Sequence, residues 1–161
     1  MKRWFHRWLP TPEKIMEQRW LGPARPYLAR PELWYVNRRG MAIGLAVGLF
    51  IGFAVPIAQI ALAALAAIWF RYNLPVAAAA TLITNPLTVP PIYFSAYQLG
   101  SWLMPMQSYE QWWASKGGAF AVGLLTIALS MSLLGYLSVH VMWRGSILLR
   151  WRARRRRMGS T

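Results

Sequence analysis

Apolar residues gather in long blocks along the chain instead of recurring at the period of a surface helix or strand. Three stretches carry no Lys, Arg, Asp or Glu: 40–70, 72–109 and 117–143, of 31, 38 and 27 residues. A helix crosses a hydrocarbon core of about 30 Å with about 20 apolar residues, so each run is long enough to span. The first two exceed one straight crossing. Pro56 lies in the middle of 40–70, where its ring clashes with the carbonyl four residues earlier and predicts a kink or a reversal into two half-helices. Within 73–104 the segment Thr84-Asn85-Pro86-Leu87-Thr88-Val89-Pro90-Pro91 predicts a second break. The run 117–143 has no proline and predicts one uninterrupted transmembrane helix. The predicted fold is all-α: a polytopic membrane protein with two Pro-broken segments, each a half-helix pair or a re-entrant hairpin, and one continuous span.

Charge divides the 161 residues further. Lys and Arg number 18 against four acids, all Glu, for a net charge of +14. Residues 1–39 hold nine of the basic side chains and 144–161 hold seven, leaving Arg71 and Lys116 between them. The section 1–39, with five prolines and interleaved aromatic and basic residues, predicts short helical pieces in the headgroup layer. The section 144–161 predicts a cytoplasmic polybasic tail that attracts anionic lipid. Nucleic-acid binding is the competing reading of such basic stretches and ranks below the membrane, because the apolar runs already place them at a bilayer surface. Two basic ends predict two cytoplasmic termini and an even number of crossings. One broken run then crosses and the other returns to its own side, and Arg71 favours the first run as the re-entrant one.

Gly40, Gly44, Gly48 and Gly52 recur at every fourth position and form one flat stripe on a helix. Close packing within the chain is the first reading of that stripe, a dimer face the second and a substrate groove the third. Pro86 ends one half-helix, and Pro90 and Pro91 suit the first turn of the next, with Thr88 placed to cap it. A helix N-terminus pointing into the break suggests an anion site at Thr84, Asn85 and Thr88. The bland alternative is that Asn85 and Thr88 only satisfy the broken backbone. Gln59 is the only strongly polar side chain between Gly40 and Phe70, and it is placed to meet Asn85 if the breaks face each other. Arg71 is a candidate partner for a lipid phosphate. His140 reads as an interfacial hydrogen-bonding group.

With no Cys and no Asp, and with no metal-binding, phosphate-binding or nucleophile motif, the chain is expected to be no enzyme and to hold no metal or cofactor.

Arg39-Gly40 with the glycines that follow, Pro56 and Gln59, Asn73-Leu74-Pro75, and Thr84-Asn85-Pro86-Leu87-Thr88 with Pro90-Pro91-Ile92-Tyr93 together resemble the bacterial membrane family DUF2062, over about residues 38–141. The resemblance implies a multi-pass protein of the bacterial inner membrane and brings no reaction or substrate. Two functions follow as expectations. One is a small lipid- or anion-handling transporter with its site at the helix breaks. The other is a non-transporting scaffold or assembly factor, whose glycine stripe and basic ends hold a membrane partner protein or a second copy of itself.

Overall fold

The computed structural model describes residues 30–104 and 112–158, with side chains over 30–104, 116–149 and Trp151. The expectations for residues 1–29 lie outside the described residues. Among the described residues there is no strand. After a 3-10 turn at Pro31–Leu33 come five helices: α1 Arg38–Ala54, α2 Gln59–Phe70, α3 Leu74–Thr81, α4 Val89–Leu103 and α5 Trp112–Met158.

The breaks have local causes. The Asn37 side chain accepts from the Gly40 N–H and caps α1. Val55, before Pro56, is forced to extended angles (φ −124°, ψ 114°), which ends that helix. Ala58 then adopts a left-handed conformation (φ 57°) and α2 begins at Gln59. Arg71 closes α2 in the same left-handed region (φ 51°), its N–H bonding to the Ala67 carbonyl. Asn73 caps α3, where Pro75 occupies the first turn at no cost in hydrogen bonds.

The first broken run is a hairpin. Gln59, at the start of α2, bonds the Gly52 carbonyl near the end of α1, whereas the Asn73 N–H, just past α2, bonds the Gly40 carbonyl at the start of α1 (3.1 Å). The chain therefore goes up α1, down α2 and up α3. Three pairs of contacts keep a constant register between α1 and α3, Gly44 on Asn73, Gly48 on Ala77 and Gly52 on Thr81, so these two helices run parallel. The interior of the triad is built mainly from small residues, with Ala63, Ala67, Ala77 and Thr81 fully buried around Tyr72 and Leu74.

Beyond the second break, α4 packs chiefly on α5 instead of folding back over the triad. Gly100 meets Ala119 and Gly123 meets Ala96, a register that makes α4 and α5 antiparallel, and Tyr93 stacks edge-on against Phe120 (5.1 Å between centroids). After α4, α5 passes to α1, where Gly135 sits over Leu45 and Leu49. Since α4 leaves from the C-terminal end of the α1–α3 pair, α5 meets α1 from that end and runs antiparallel to it.

The continuous helix is longer than 117–143. It extends from Trp112 to Met158, 47 residues or about 70 Å, and includes most of the section expected as a separate tail. No proline interrupts the helix after Trp143, Gly145 and Ser146 are accommodated within it, the Ser146 hydroxyl bonding the Trp143 carbonyl (2.8 Å), and charge alone does not stop a helix. Its segment Lys116–Leu149 is long and apolar enough to cross a membrane, with a mean hydropathy of 2.0 in its most apolar window.

Candidate functional site

The two breaks meet at one polar cluster. Thr84 Oγ donates to the Gly52 carbonyl (2.8 Å), and Gln59 Nε2 donates to the same carbonyl (3.2 Å) and to Thr84 Oγ (2.9 Å). Hydrogen bonds to the Gln59 Oε1 and Thr81 carbonyl oxygens are also within reach of the Thr84 hydroxyl. The end of α1, the start of α2 and the end of α3 are thus tied by one amide and one hydroxyl. Beside this cluster an open cleft of about 460 Å³ is lined by Pro56, Ala58, Gln59, Ile60, Ala61, Thr81, Leu82 and Thr84. Its walls are mostly apolar and carry no formal charge.

Gln59 meets Thr84 and not Asn85. The Asn85 side chain folds onto its own turn, its Oδ1 accepting from the Leu87 N–H (2.9 Å) and the Thr88 N–H (3.1 Å). Thr88 Oγ donates to the Ile83 carbonyl (2.7 Å) and accepts from the Asn85 N–H (2.9 Å). Thr88 does not cap α4 with its side chain, because its own backbone is already right-handed helical (φ −89°, ψ −23°) and its hydroxyl points back into the turn.

This turn changes the chemistry of the α4 N-terminus. The Val89 N–H bonds the Asn85 carbonyl (2.9 Å), the Ile92 N–H bonds the Thr88 carbonyl (3.2 Å), and Pro90 and Pro91 have no N–H at all. Anion binding at a helix start uses free backbone donors. From Leu87 to Ile92 every backbone N–H is already engaged, and the exposed Asn85 offers an anion only its amide nitrogen.

Arg71 lies at the opposite end of the hairpin from the cleft. Its guanidinium faces Glu32 at 3.8 Å, with both side chains more than half exposed, so this ion pair is screened by its surroundings. Arg38 and Arg39 stand at the same end as Arg71, since the start of α1 adjoins Asn73. Arg144 is nine residues past Gly135 on α5, which brings it about level with Arg38, nine residues before Val47 on the antiparallel α1.

The glycines at 44, 48 and 52 face α3 inside the chain, whereas Gly40 carries the Asn37 cap against its Cα. A Cβ on Gly44 would lie 2.6 Å from the Asn73 carbonyl oxygen, and one on Gly48 would meet the Ala77 carbonyl oxygen still more closely. His140 Nε2 is buried without a hydrogen-bond partner among the described residues, and its ring leans on Tyr136 (4.6 Å between centroids).

Two structural centres escape a reading of the sequence. Asn73, buried between the two runs, caps α3 through the Val76 N–H (3.0 Å) and donates to the Tyr35 carbonyl (3.2 Å) while its backbone bonds Gly40. Gly100 and Gly123, with Ala96 and Ala119, make the close crossing of α4 and α5. The spacing Ala96-x-x-x-Gly100 and Ala119-x-x-x-Gly123 was the available signal. Burial raises the Tyr72 hydroxyl above its ordinary value near 10, so it stays protonated and donates to the Ala63 carbonyl (2.8 Å).

No curated protein and no solved structure is significantly similar to the chain. Residues 21–152 match the model of DUF2062, described as an uncharacterized protein conserved in bacteria, a wider match than the motifs alone mark out. With the match covering most of its length, the chain belongs to the DUF2062 family.

Proposed function

We propose that the protein is an integral component of the bacterial inner membrane that handles lipid at the cleft between its two helix breaks. In this reading α5 crosses once, the broken pair α3 and α4 crosses in the other direction, and α1 with α2 is a re-entrant hairpin. Both ends of the chain are cytoplasmic.

The observation that carries this reading is how α5 is packed. Only 22% of its most apolar window is buried within the protein, so it is no core helix of a water-soluble fold. Its unburied face includes Leu125, Leu129, Leu133 and Leu137, a surface matched to hydrocarbon. Arg38, Arg39, Arg71 and Arg144 at one end agree with a cytoplasmic side and with contacts to anionic headgroups. Continuing the α4–α5 register back to Val89 reaches about Ser130, close to the centre of Lys116–Leu149. The second break then falls near the bilayer midplane, where irregular backbone needs cover from protein or a cavity.

Lipid fits the cleft better than a free anion. The backbone donors of the second break are spent on one another, the walls are apolar, and Arg71 is at the far end of the hairpin. An acyl chain would lie between Ile60 and Leu82, with a phosphate held outside at the basic interface. No enzymatic step is proposed for the chain, and no nucleic-acid contact.

Native mass spectrometry of protein released from its own membrane tests the reading, comparing wild type with Q59A. A selectively retained lipid that the variant loses is the expected result. Equal retention, or none, would reject it. The exposed leucines at every fourth position of α5 favour a second reading, a scaffold that docks a membrane partner or another copy of itself on that face. Crosslinking from Leu129 to one defined protein in the native membrane would support that alternative.

A further inference from the structure

We infer that the corner formed by residues 56–61 is a gate over the cleft, latched by the contact of Gln59 with Thr84 and Gly52 and hinged at Ala58. The inference rests on the cleft being the working site of the proposed function, but the motion itself is read without any ligand.

Four observations converge on it. First, α2 is bounded at both ends by non-glycine residues in the left-handed region, Ala58 and Arg71, so its orientation is maintained against local backbone preference. Second, α2 is held unevenly. From its middle onward Ala63, Ala64 and Ala67 bury one face, with the Tyr72 hydroxyl on the Ala63 carbonyl (2.8 Å) and Trp69 and Phe70 left exposed, whereas at its start Pro56, Ile57, Ala58 and Ile60 are exposed and no residue is fully buried.

Third, among the described residues the side-chain polar ties at that loose end are those of Gln59. Its amide donates to Thr84 Oγ (2.9 Å) and the Gly52 carbonyl (3.2 Å), and the Thr84 hydroxyl donates to the Gly52 carbonyl (2.8 Å), which leaves that carbonyl bonded when Gln59 lets go. A latch whose seat stays hydrogen-bonded opens without exposing an orphan carbonyl. Fourth, the cleft lies directly beneath: one wall is Ala58, Ile60 and Ala61 of the corner, and the other is Thr81, Leu82 and Thr84 at the end of α3. Swinging the corner away about the anchored C-terminal half of α2 widens the cleft toward the lipid phase without disturbing the glycine contacts of α1 with α3.

Fluorine NMR of the full chain in lipid nanodiscs tests the gate, with a trifluoroethyl thiol label at I60C. The protein has no cysteine of its own. Two exchanging resonances are expected, closed and open. Removing the latch with Q59L, which leaves the Thr84 hydroxyl on the Gly52 carbonyl, should raise the open population several-fold. Relieving the left-handed alanine with A58G should stabilise the closed hinge and lower the open population about fivefold. The same label at L129C on α5 reports whether each variant keeps its fold, and A58G carries the test if Q59L does not.

A single resonance insensitive to both substitutions, or populations that move in the same direction in both, would overturn the gate. Retained lipid with no exchange rejects the gate and leaves the lipid reading standing. Exchange that responds as expected with no retained lipid keeps the gate and rejects lipid as its cargo.

Discussion

Gly44 and Asn73 touch backbone to backbone: a Cβ on the glycine would lie 2.6 Å from the asparagine carbonyl oxygen. That contact fixes how the two broken runs share one interior. Asn73 is held there at three further points, by Gly40, Tyr35 and Val76, so α3 cannot retreat to make room. In the membrane setting proposed above, where protein and lipid do not differ in hydrophobicity, close packing and hydrogen bonds of this kind are what hold helices together.

The glycines of α1 should therefore differ in tolerance according to what faces them. G44A and G48A force a methyl group onto backbone oxygen and should each lower stability by about 2 kcal/mol or more. G52A meets Thr81 Cα at 3.2 Å and should cost less, whereas G117A faces open space and should be neutral or slightly stabilising. Thermal unfolding in detergent ranks the four variants, and equal losses at 44 and 117 would contradict the packing.

At the crossing of α4 and α5, G100A and G123A should each separate the helices, since either Cβ would collide with a backbone carbonyl of the other helix. The triad of α1, α2 and α3 makes no use of these glycines. The expected outcome is selective: accelerated hydrogen exchange over residues 92–103, with residues 74–81 protected as in wild type. Loss of protection at both places would mean that the two halves fold as one unit.

The breaks were legible in the sequence because proline acts locally. Pro56 and Pro86 remove a donor and restrict the preceding residue whatever surrounds them. The four-residue spacing on α1 was equally plain. Which partner each residue finds was not legible, because it depends on register between elements far apart in the chain. Asn85 had the composition of a site residue, yet donors two and three residues ahead reach its side chain first, and Thr84 beside it became the partner of Gln59. The α4–α5 crossing stayed hidden for the same reason, since neither Ala96-x-x-x-Gly100 nor Ala119-x-x-x-Gly123 names its mate. The length of α5 was missed because a change from apolar to basic residues marks a membrane boundary, not a helix end.

The Asn73 side chain caps α3 and ties it to the segment before α1, so its substitutions separate capping from bridging. N73D keeps the acceptor for the Val76 N–H but loses the donor to the Tyr35 carbonyl, and it buries a charge. N73A loses both bonds and should cost about 2–3 kcal/mol, from a missing cap and an unmade buried hydrogen bond. N73S retains a short capping oxygen and should be the mildest of the three. Unfolding midpoints in that order, serine above alanine and aspartate, check the assignment.

At Arg71 the backbone and the side chain pull in different directions. Its left-handed conformation costs about 1 kcal/mol for a residue with a Cβ, whereas the exposed pair with Glu32 returns little. R71G should therefore raise stability by up to about 1 kcal/mol despite the lost charge, and E32Q should leave it almost unchanged. A lower midpoint for R71G would show that the guanidinium contributes more than its contact with Glu32.

The buried hydroxyl of Tyr72 sets an alkaline limit on the fold. Burial raises its pKa above the ordinary value near 10, so the folded chain holds this proton more tightly than the unfolded chain. The resulting stability is fully present below pH 10 and is lost as pH rises from there toward the folded-state value. Tyr72 should thus leave stability flat between pH 6 and 9 and lower it above about pH 10. In Y72F the bond to the Ala63 carbonyl is gone, at a cost of about 1 kcal/mol near neutrality, and so is the group that titrates. Unfolding midpoints of wild type and Y72F followed from pH 7 to 11 should start apart and converge as the tyrosine ionises; curves that stay parallel would place the alkaline sensitivity in another group.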